Sequence, residues 1–415
     1  LAAGDRRRAA RGWLTAGRTA RHRAAFEDAV TLLDRALDAA DEPALRAAIR
    51  LERSRAHEAL AGFDAAFADA DAALVDARDV GELRLEMRAL QMRGGDAAVA
   101  LGRPVEEATS DNAAGLALAA RLGDRVAASR FRTRLVVLGS SRLQFADAEE
   151  LALRGVAEAR SVGSPEALAR SLDGLKSVYA FIGDVERLEV VIAELHPILV
   201  DLRLIWLLQW TVLESSLIAA ARGDWARALS RVDEALTLNS ESGYAAYAGF
   251  FRAQRAWLNR MAGDLDGALA DGRVALRESS AADHPWWYAA AAGGYATTLL
   301  EAGARDEAAE VAGGGLSVLR GQAGEAYRLR CLAPLVAATG QRVAEADALL
   351  AGAATPAGTA WISGSDVYDA VAAAWHGLGE PERAEAVLAP LVAATGPDRW
   401  AEIHRRARQR SSASS

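Results

Sequence analysis

The chain has 415 residues, with 48 Lys+Arg against 56 Asp+Glu and a formal net charge of −8. Hydrophobic residues make up 51% and charged residues 25%, which is the balance of an ordinary folded protein and excludes a disordered chain. The single cysteine excludes a disulfide framework and a zinc finger, the acidic balance argues against a chain that coats nucleic acid, and no long uncharged apolar run predicts a membrane helix.

One phrase recurs along the chain: a helical stretch, a short break and a second helical stretch. Near the start AFEDAVTLLDRALDAA follows a break at Ala24, and LIAAARGDWARALSRVDEALTL and LNRMAGDLDGALADGRVAL later contain breaks at Gly223 and Gly263, a period of 40. The whole series of predicted breaks is Ala24, Gly62, Gly102, Leu143, Gly183, Gly223, Gly263, Gly303, Gly340 and Gly379. Self-similarity at such a period predicts a helical solenoid.

Each repeat is predicted to be a helix hairpin. Glycine at the break suits a helix C-terminus because it adopts the left-handed conformation cheaply, and Asp184 and Asp224 directly after it can cap the next helix. We therefore predict an all-α, right-handed α-solenoid of about ten hairpins, in which residues 1–400 form one superhelical domain and residues 401–415 form a polar, basic C-terminal tail. Repeats of such a solenoid are expected to contact only their neighbours.

The pattern resembles the tetratricopeptide repeat (TPR), with a small residue early in the second helix (such as Ala228) and a larger apolar residue four positions later (such as Val232). The repeat is about 40 residues long rather than 34, which is similar to the TPR superhelix of maltose-activator-type, LuxR-type and cyclase-linked ATP-dependent bacterial regulators. The opening phrase AAGDRRRAARGWLTAGRTARHRAAFEDAVTLLDRALDAA also resembles the start of that superhelix. The resemblance implies a TPR-like superhelix that follows an NTPase module.

Motifs for catalysis are missing from the sequence. There is no GxxxxGK[ST] phosphate loop, so the NTPase module would lie outside this chain, and no pair of histidines has metal-ligand spacing. Cys331 lies in an apolar helical stretch and is expected to be a buried small side chain. We expect no catalytic residue, no metal site, no cofactor and no enzyme activity.

Aromatic residues concentrate between positions 200 and 300. Trp210 and Phe250 precede the glycine of their break by the same number of positions, and Trp257 lies about two helical turns nearer to its own break. In the TPR register these positions face the concave groove, and Trp206, Tyr247 and Trp287, which come earlier in their helices, are expected near its rim. The alternative is that the rings fill the core between hairpins.

Two arginines share the offset of Trp210 in earlier repeats. Arg130 and Arg170 stand at this same position before their breaks and are expected to place positive charge further along the groove, the alternative being that both are simply solvated. An aromatic groove with a few charges suits an apolar peptide, a sugar or a flat small molecule.

The function expected from these observations is partner binding or inducer sensing within a bacterial ATP-dependent regulator of the STAND type. The partners would be a protein, a peptide or a small-molecule inducer in the groove, together with an upstream NTPase domain of the same parent protein. Direct contact with nucleic acid or membrane is not expected, and the single cysteine fits the cytoplasm. A free-standing TPR scaffold or adaptor is the first alternative, and a helical-repeat enzyme is the second.

Overall fold

A computed structural model describes residues 3–243, 247–282, 284–319, 324–353 and 360–412 of the chain. Within these ranges the chain is α-helical with no β-strand, which confirms the predicted all-α solenoid. Ten consecutive hairpins, named units 1 to 10, are followed by a last helix. Their helices are α1 (Ala3–His22) and α2 (Phe26–Asp38); α3 (Pro43–Ala59) and α4 (Phe63–Asp79); α5 (Leu83–Arg93), α6 (Asp96–Ala100) and α7 (Val105–Leu122); α8 (Arg125–Ser141) and α9 (Phe145–Val162); α10 (Pro165–Ile182) and α11 (Val185–Asp201); α12 (Ile205–Ala221) and α13 (Trp225–Ser242); α14 (Ala248–Met261) and α15 (Leu265–Ala281); α16 (Pro285–Glu301) and α17 (Arg305–Val318); α18 (Glu325–Thr339) and α19 (Val343–Ala351); α20 (Ser365–Gly377) and α21 (Pro381–Ala394); and finally α22 (Ala401–Ser412).

A residue with left-handed backbone follows the first helix of each unit. These residues are Ala24, Ala61, Gly102, Leu143, Gly183, Gly223, Gly263, Gly303, Gly340 and Gly379, with φ between 57 and 90°. In unit 2 the residue is Ala61 and not Gly62, because α3 ends one residue early and Gly62 already caps α4. The carboxylates of Asp184 and Asp224 accept a hydrogen bond from the third residue of the next helix, as the sequence predicts.

The superhelix closes on itself, so the expectation of contacts between neighbouring units alone is wrong. Helix α6 of unit 3 contacts α16 of unit 8, and α8 of unit 4 contacts α18 of unit 9. The ring centroids of Phe63 and His284 lie 5.6 Å apart across this closure, and a Cβ atom on Gly324 would stand 2.6 Å from the carbonyl oxygen of Ser141. Side chains on the first helices of distant units therefore face one another across a narrow interior.

The C-terminal residues form a docked helix, whereas the sequence predicts a polar tail over residues 401–415. Ile403 and Ala407, four positions apart on α22, are buried and give the helix an apolar stripe that its many arginines mask in the sequence. Just before α22, the Trp400 amide donates to Ala221 O (2.8 Å) and its indole Nε1 donates to Gly183 O (3.0 Å). The last helix thus binds the loops of units 5 and 6, while residues 413–415 lie outside the described residues.

Candidate ligand-binding cavity

The first helices of units 3 to 9 surround a central cavity of about 160 Å³, which the turn before α20 completes. The aromatic part of its wall consists of Phe181, Trp206, Trp210, Tyr247, Phe250, Trp287 and Tyr327. The polar part consists of Asp96, Arg134, Asp173, Lys176, Ser177, Glu214, Gln254, Arg330 and Ser363. The closure of the superhelix brings these residues together from seven repeats and the next turn.

The lining residues recur at fixed offsets from the left-handed residue of each unit. One offset is shared by Trp210, Phe250 and Tyr327. A second offset, about two helical turns nearer to the left-handed residue, is shared by Val137, Ser177 and Leu217. Positions two turns apart share one face of a helix, so both sets point to the same side of their first helices. The loop geometry of a unit therefore determines which of its side chains face the cavity.

The predicted aromatic residues mostly meet at this cavity. Trp206, Trp210, Tyr247, Phe250 and Trp287 line it, and Trp257 lines an adjoining cleft of about 40 Å³ that Phe250, Gln254 and Arg330 also border. Only Trp206 lies at an exposed rim, with 37% of its surface accessible. Tyr247 and Trp287, expected at the rim, are 5% and 9% exposed because the closure between α6 and α16 covers them.

The rings pack against one another as well as facing the cavity. The Trp210 centroid lies 4.9 Å from Phe251, 5.2 Å from Tyr247 and 5.7 Å from Trp287. The Trp287 centroid lies 4.8 Å from Phe250 and 4.8 Å from His284, which stacks on it. Tilted and edge-to-face arrangements of this kind fix each ring and leave a flat apolar surface available to a ligand.

Arg130 and Arg170 lie outside the cavity wall, at its edge. Both pair with the carboxylate of Glu166, at 2.8 Å and 3.0 Å respectively. Each shares a helix face with a residue that lines the cavity one turn further along the chain: Arg134 follows Arg130 on α8, and Asp173 follows Arg170 on α10. The alternative that both are simply solvated does not describe them, since each is only partly exposed and ion-paired.

Lys176 is the only lysine of the chain, and its side chain is fully buried in the cavity wall. Its Nζ lies 2.9 Å from Asp173 Oδ1 and 2.9 Å from Glu214 Oε2. Burial alone would lower the pKa of Lys176, but the two carboxylates outweigh burial and raise it, so the ammonium is charged. The sequence interpretation missed this group, although a single lysine in a chain rich in arginine is a signal that could have found it.

A second polar group crosses the closure between units 3, 4 and 7. Asp96 Oδ1 accepts from Arg134 Nη1 at 2.6 Å, and its Oδ2 accepts from the Tyr247 hydroxyl at 3.1 Å. Burial alone would raise the pKa of Asp96, but the Arg134 charge and these bonds hold it below its ordinary value. The neighbouring His284 is neutral, because burial lowers its pKa to about 4. The glycines at 94 and 95 place Asp96 here by interrupting the first helix of unit 3.

Cys331 and the metal-ligand residue types do not add a reactive centre to this wall. The Cys331 thiol is buried, donates a hydrogen bond to Ala289 O at 3.0 Å, and has a pKa that burial raises to about 12.

In the described ranges no three His, Cys, Asp or Glu residues come close enough to hold a metal ion. No described helix combines the length and apolarity that a membrane crossing requires.

Comparison with known proteins finds likeness in structure only. No protein-family model matches the chain, and no curated protein matches its sequence. A Rap protein complexed with competence and sporulation factor is similar in structure, with a TM-score of 0.58 and 14% identity over 89% of this chain and 100% of the Rap chain. The apo form of RapI gives a TM-score of 0.51 and 13% identity over 66% of this chain and 97% of its own. A STAND protein with a tetratricopeptide repeat sensor from Pyrococcus horikoshii gives a TM-score of 0.48 and 12% identity, over 83% of this chain and 52% of its own. Together with the ten hairpins, the likeness to the first two shows that this chain has the fold of a TPR-like α-solenoid.

Proposed function

We propose that this chain is a cytoplasmic binding and sensing domain whose ligand occupies the central cavity. The observation that carries the proposal is the aromatic wall, in which Trp206, Trp210 and Phe250 present ring surface to one shared space. Apolar cavities with a few convergent polar groups are the usual form of a small-molecule or side-chain binding site. The occupant is an inducer, or the side chain of a bound peptide or protein.

Occupation of the cavity would stabilise the closed superhelix. A ligand there contacts α8 and α10 on one side and α16 and α18 on the other, and the contacts of α6 with α16 and of α8 with α18 join the two sides. A ligand with more contacts in the closed form than in an open form shifts the population towards the closed form. The domain would thereby convert binding into a change of shape that an attached module can detect.

We place this domain in a bacterial ATP-dependent regulator, with the NTPase and output modules outside the chain. The repeat length and the opening phrase around Trp13 support this context. The alternative is a free-standing adaptor, which the structural likeness to a complete Rap chain favours. A parent gene that encodes a phosphate loop in frame upstream of Leu1 would support the regulator, and a gene without one would support the adaptor.

We propose no catalysis, because the ionisable groups of the cavity are already committed to structural pairs. Lys176 is held by two carboxylates and Asp96 by Arg134. A general acid or base needs a proton that it can exchange at neutral pH, and neutral His284 is sealed between Phe63 and Trp287.

Calorimetric titration with indole tests binding at the cavity. We expect the wild type to bind indole, and Trp210→Ala to weaken the affinity by about 1–3 kcal/mol, since the ring stacks directly on the occupant. Trp206→Ala removes a rim residue with less risk to folding and should weaken binding in the same direction. Trp225→Ala, at the start of α13 and away from the cavity, is the matched control. Equal affinities in all four proteins would refute the proposal.

A further inference from the structure

The first helices of units 1 to 5 carry a concentration of arginine that reaches the edge of the cavity at Arg130 and Arg170. We call this set the arginine surface; it consists of Arg18, Arg21, Arg55, Arg88, Arg130 and Arg170. All six guanidinium groups are only partly exposed, and neighbouring members act on one another electrostatically. They come from five different helices, so the superhelix and not the local sequence assembles them.

Too few carboxylates neutralise this surface. Glu52 alone is shared by the four arginines of units 1 to 3, with its closest contact 2.8 Å from Arg88. Glu166 is shared by the remaining two. No other ion pair involves these six arginines in the described part of the chain. Six arginines are therefore ion-paired with only two carboxylates, although the chain as a whole carries a net charge of −8.

The excess charge leaves physical traces. The Nε atoms of Arg18 and Arg130 are buried without an aligned hydrogen bond, although Arg18 Nε lies 3.3 Å from Glu52 Oε1. Burial, with the nearby charges of Arg88, Arg21 and Arg130, lowers the pKa of Arg55 to about 10. Such a cluster is costly to assemble without an anion, because like charges repel and unsatisfied donors lose their hydration.

The arginine surface is continuous with the aromatic cavity. Arg130 precedes the cavity residues Arg134 and Val137 by one and two turns on the same face of α8, and Arg170 stands in the same relation to Asp173 on α10. One helical turn rises about 5.4 Å. A ligand whose ring lies in the cavity can therefore reach these arginines with a carboxylate attached through one or two carbon atoms.

The opposite side of the cavity adds one more positive charge. Arg330 on α18 donates to Ser363 O at 2.7 Å and forms no ion pair among the described residues. Among the carboxylates of the cavity, Asp96 pairs with Arg134, whereas Asp173 and Glu214 share the single charge of Lys176. Burial raises the pKa of Glu214, which favours its neutral form. Three carboxylates and three cations therefore line the cavity, and at its edge Arg130 and Arg170 share only Glu166, which leaves an excess of one positive charge.

We propose that the ligand is an organic anion: a flat or apolar ring lies in the aromatic cavity, its carboxylate, phosphate or sulfonate group lies against Arg130 and Arg170, and Arg330 adds positive charge from the opposite side of the cavity. This inference rests on the proposed function, because it specifies the chemistry of the occupant of that same cavity. The cavity volume of about 160 Å³ suits one small aromatic ring system, so the ring is a single or a fused bicyclic one. Further negative charge on the ligand would extend over Arg88 and Arg55.

Three indole compounds with one ring system and different charges test the inference by isothermal titration calorimetry. Indole-3-acetate is anionic, indole is neutral and tryptamine is cationic. We expect indole-3-acetate to bind about tenfold more tightly than indole, as one charge-assisted hydrogen bond allows, and tryptamine to bind least tightly. The preference for the anion should decrease as salt increases.

Variants separate the charge from the ring. In Arg130→Gln/Arg170→Gln the advantage of indole-3-acetate over indole should fall below about threefold, while the affinity for indole is unchanged. Arg330→Gln breaks no ion pair among the described residues and keeps a side-chain amide that can donate hydrogen bonds, so it provides a second variant. Arg222→Gln, an exposed arginine that pairs with Glu189 away from the cavity, is the matched control.

The outcomes distinguish the two levels of the proposal. Ring binding without preference for the anion, or an equal or greater affinity for tryptamine, would overturn the organic anion and leave the cavity as a binding site. No binding of any of the three compounds by the wild type would overturn the proposed function itself. An advantage of the anion that survives all three Arg→Gln changes would refute the role given to these arginines.

Discussion

Units 4 and 5 place different side chains from units 6, 7 and 9 at the same helix position. At one fixed offset before the left-handed residue stand Arg130 and Arg170 in units 4 and 5, and Trp210, Phe250 and Tyr327 in units 6, 7 and 9. The hairpins are otherwise alike, with a short turn and a first helix of similar length. The turn and the small core residues determine the hairpin, so the side chain at the inward-facing position is free to serve binding. As a result, one half of the interior is basic and the other half is aromatic.

The two regions are also held together by different forces. In the basic half, Glu52 joins α3 to arginines of α1 and α5, so that one carboxylate links three units. In the aromatic half, Trp210 and Trp287 join α12 to α16 by ring packing. We therefore expect the basic half to respond strongly to changes of charge and pH, and three experiments test this difference.

The largest effect is expected where the two regions meet, at Lys176. Lys176→Met leaves Asp173 and Glu214 buried without their cation, and the free energy of unfolding should fall by about 3–5 kcal/mol in urea denaturation. The triple variant Lys176→Met/Asp173→Asn/Glu214→Gln removes all three charges and should recover most of this loss. A loss below about 1 kcal/mol in the single variant would show that the charges are solvated and that the boundary is not electrostatic.

The next largest effect is expected at Glu52 in the basic half. Glu52→Gln leaves four arginines without a carboxylate partner among the described residues. We expect the free energy of unfolding to fall by about 2–3 kcal/mol, and sulfate should partly restore it by binding there. Glu189→Gln, which removes an exposed partner of Arg222, is the matched control and should cost less than about 0.5 kcal/mol. Equal losses in the two variants would contradict a special role for the shared carboxylate.

The smallest effect concerns pH and arises at Glu58, near the junction of the two halves. Burial, with a contribution from the Asp96 charge, raises the pKa of Glu58 to about 7 from an ordinary value of 4.5. The folded state thus favours protonated Glu58, and its contribution to stability is complete below about pH 4.5 and is lost as the pH rises towards 7.

Denaturation of Glu58→Gln at pH 6 and pH 8 measures this contribution. Relative to the wild type, the variant should be about 1 kcal/mol more stable at pH 8 than at pH 6, because glutamine stays neutral at both. Glu150→Gln on the exposed face of α9 should show no such change. A pH dependence identical in the wild type and Glu58→Gln would refute the raised pKa.

The repeat itself could be predicted from the sequence because its cause is local. Glycine at Gly183, Gly223 and Gly263 marks a backbone conformation that other residues adopt at a cost, and the period follows from it. The register of Trp210 and Phe250 within the first helix follows from the same marker. Ala61 adopts that conformation without being glycine, which explains the displacement by one residue in unit 2.

The closure of the superhelix could not be predicted in this way. The contacts of Asp96 with Tyr247 and of Phe63 with His284 join residues far apart in the chain, and no periodic pattern reports them. The burial of Tyr247 and Trp287 depends on this closure. The single lysine was visible in the composition, but its meaning depends on Glu214, which the next repeat supplies.

The two hydrogen bonds of Trp400 change how the molecule would lose its structure. A linear array of repeats frays from its ends, since the last repeat has only one neighbour. Here Trp400 holds Ala221 O and Gly183 O, so detachment of α22 would leave bare the turns of units 5 and 6, the repeats that supply Lys176 and Trp210. The end of the chain and its middle therefore open as one cooperative unit.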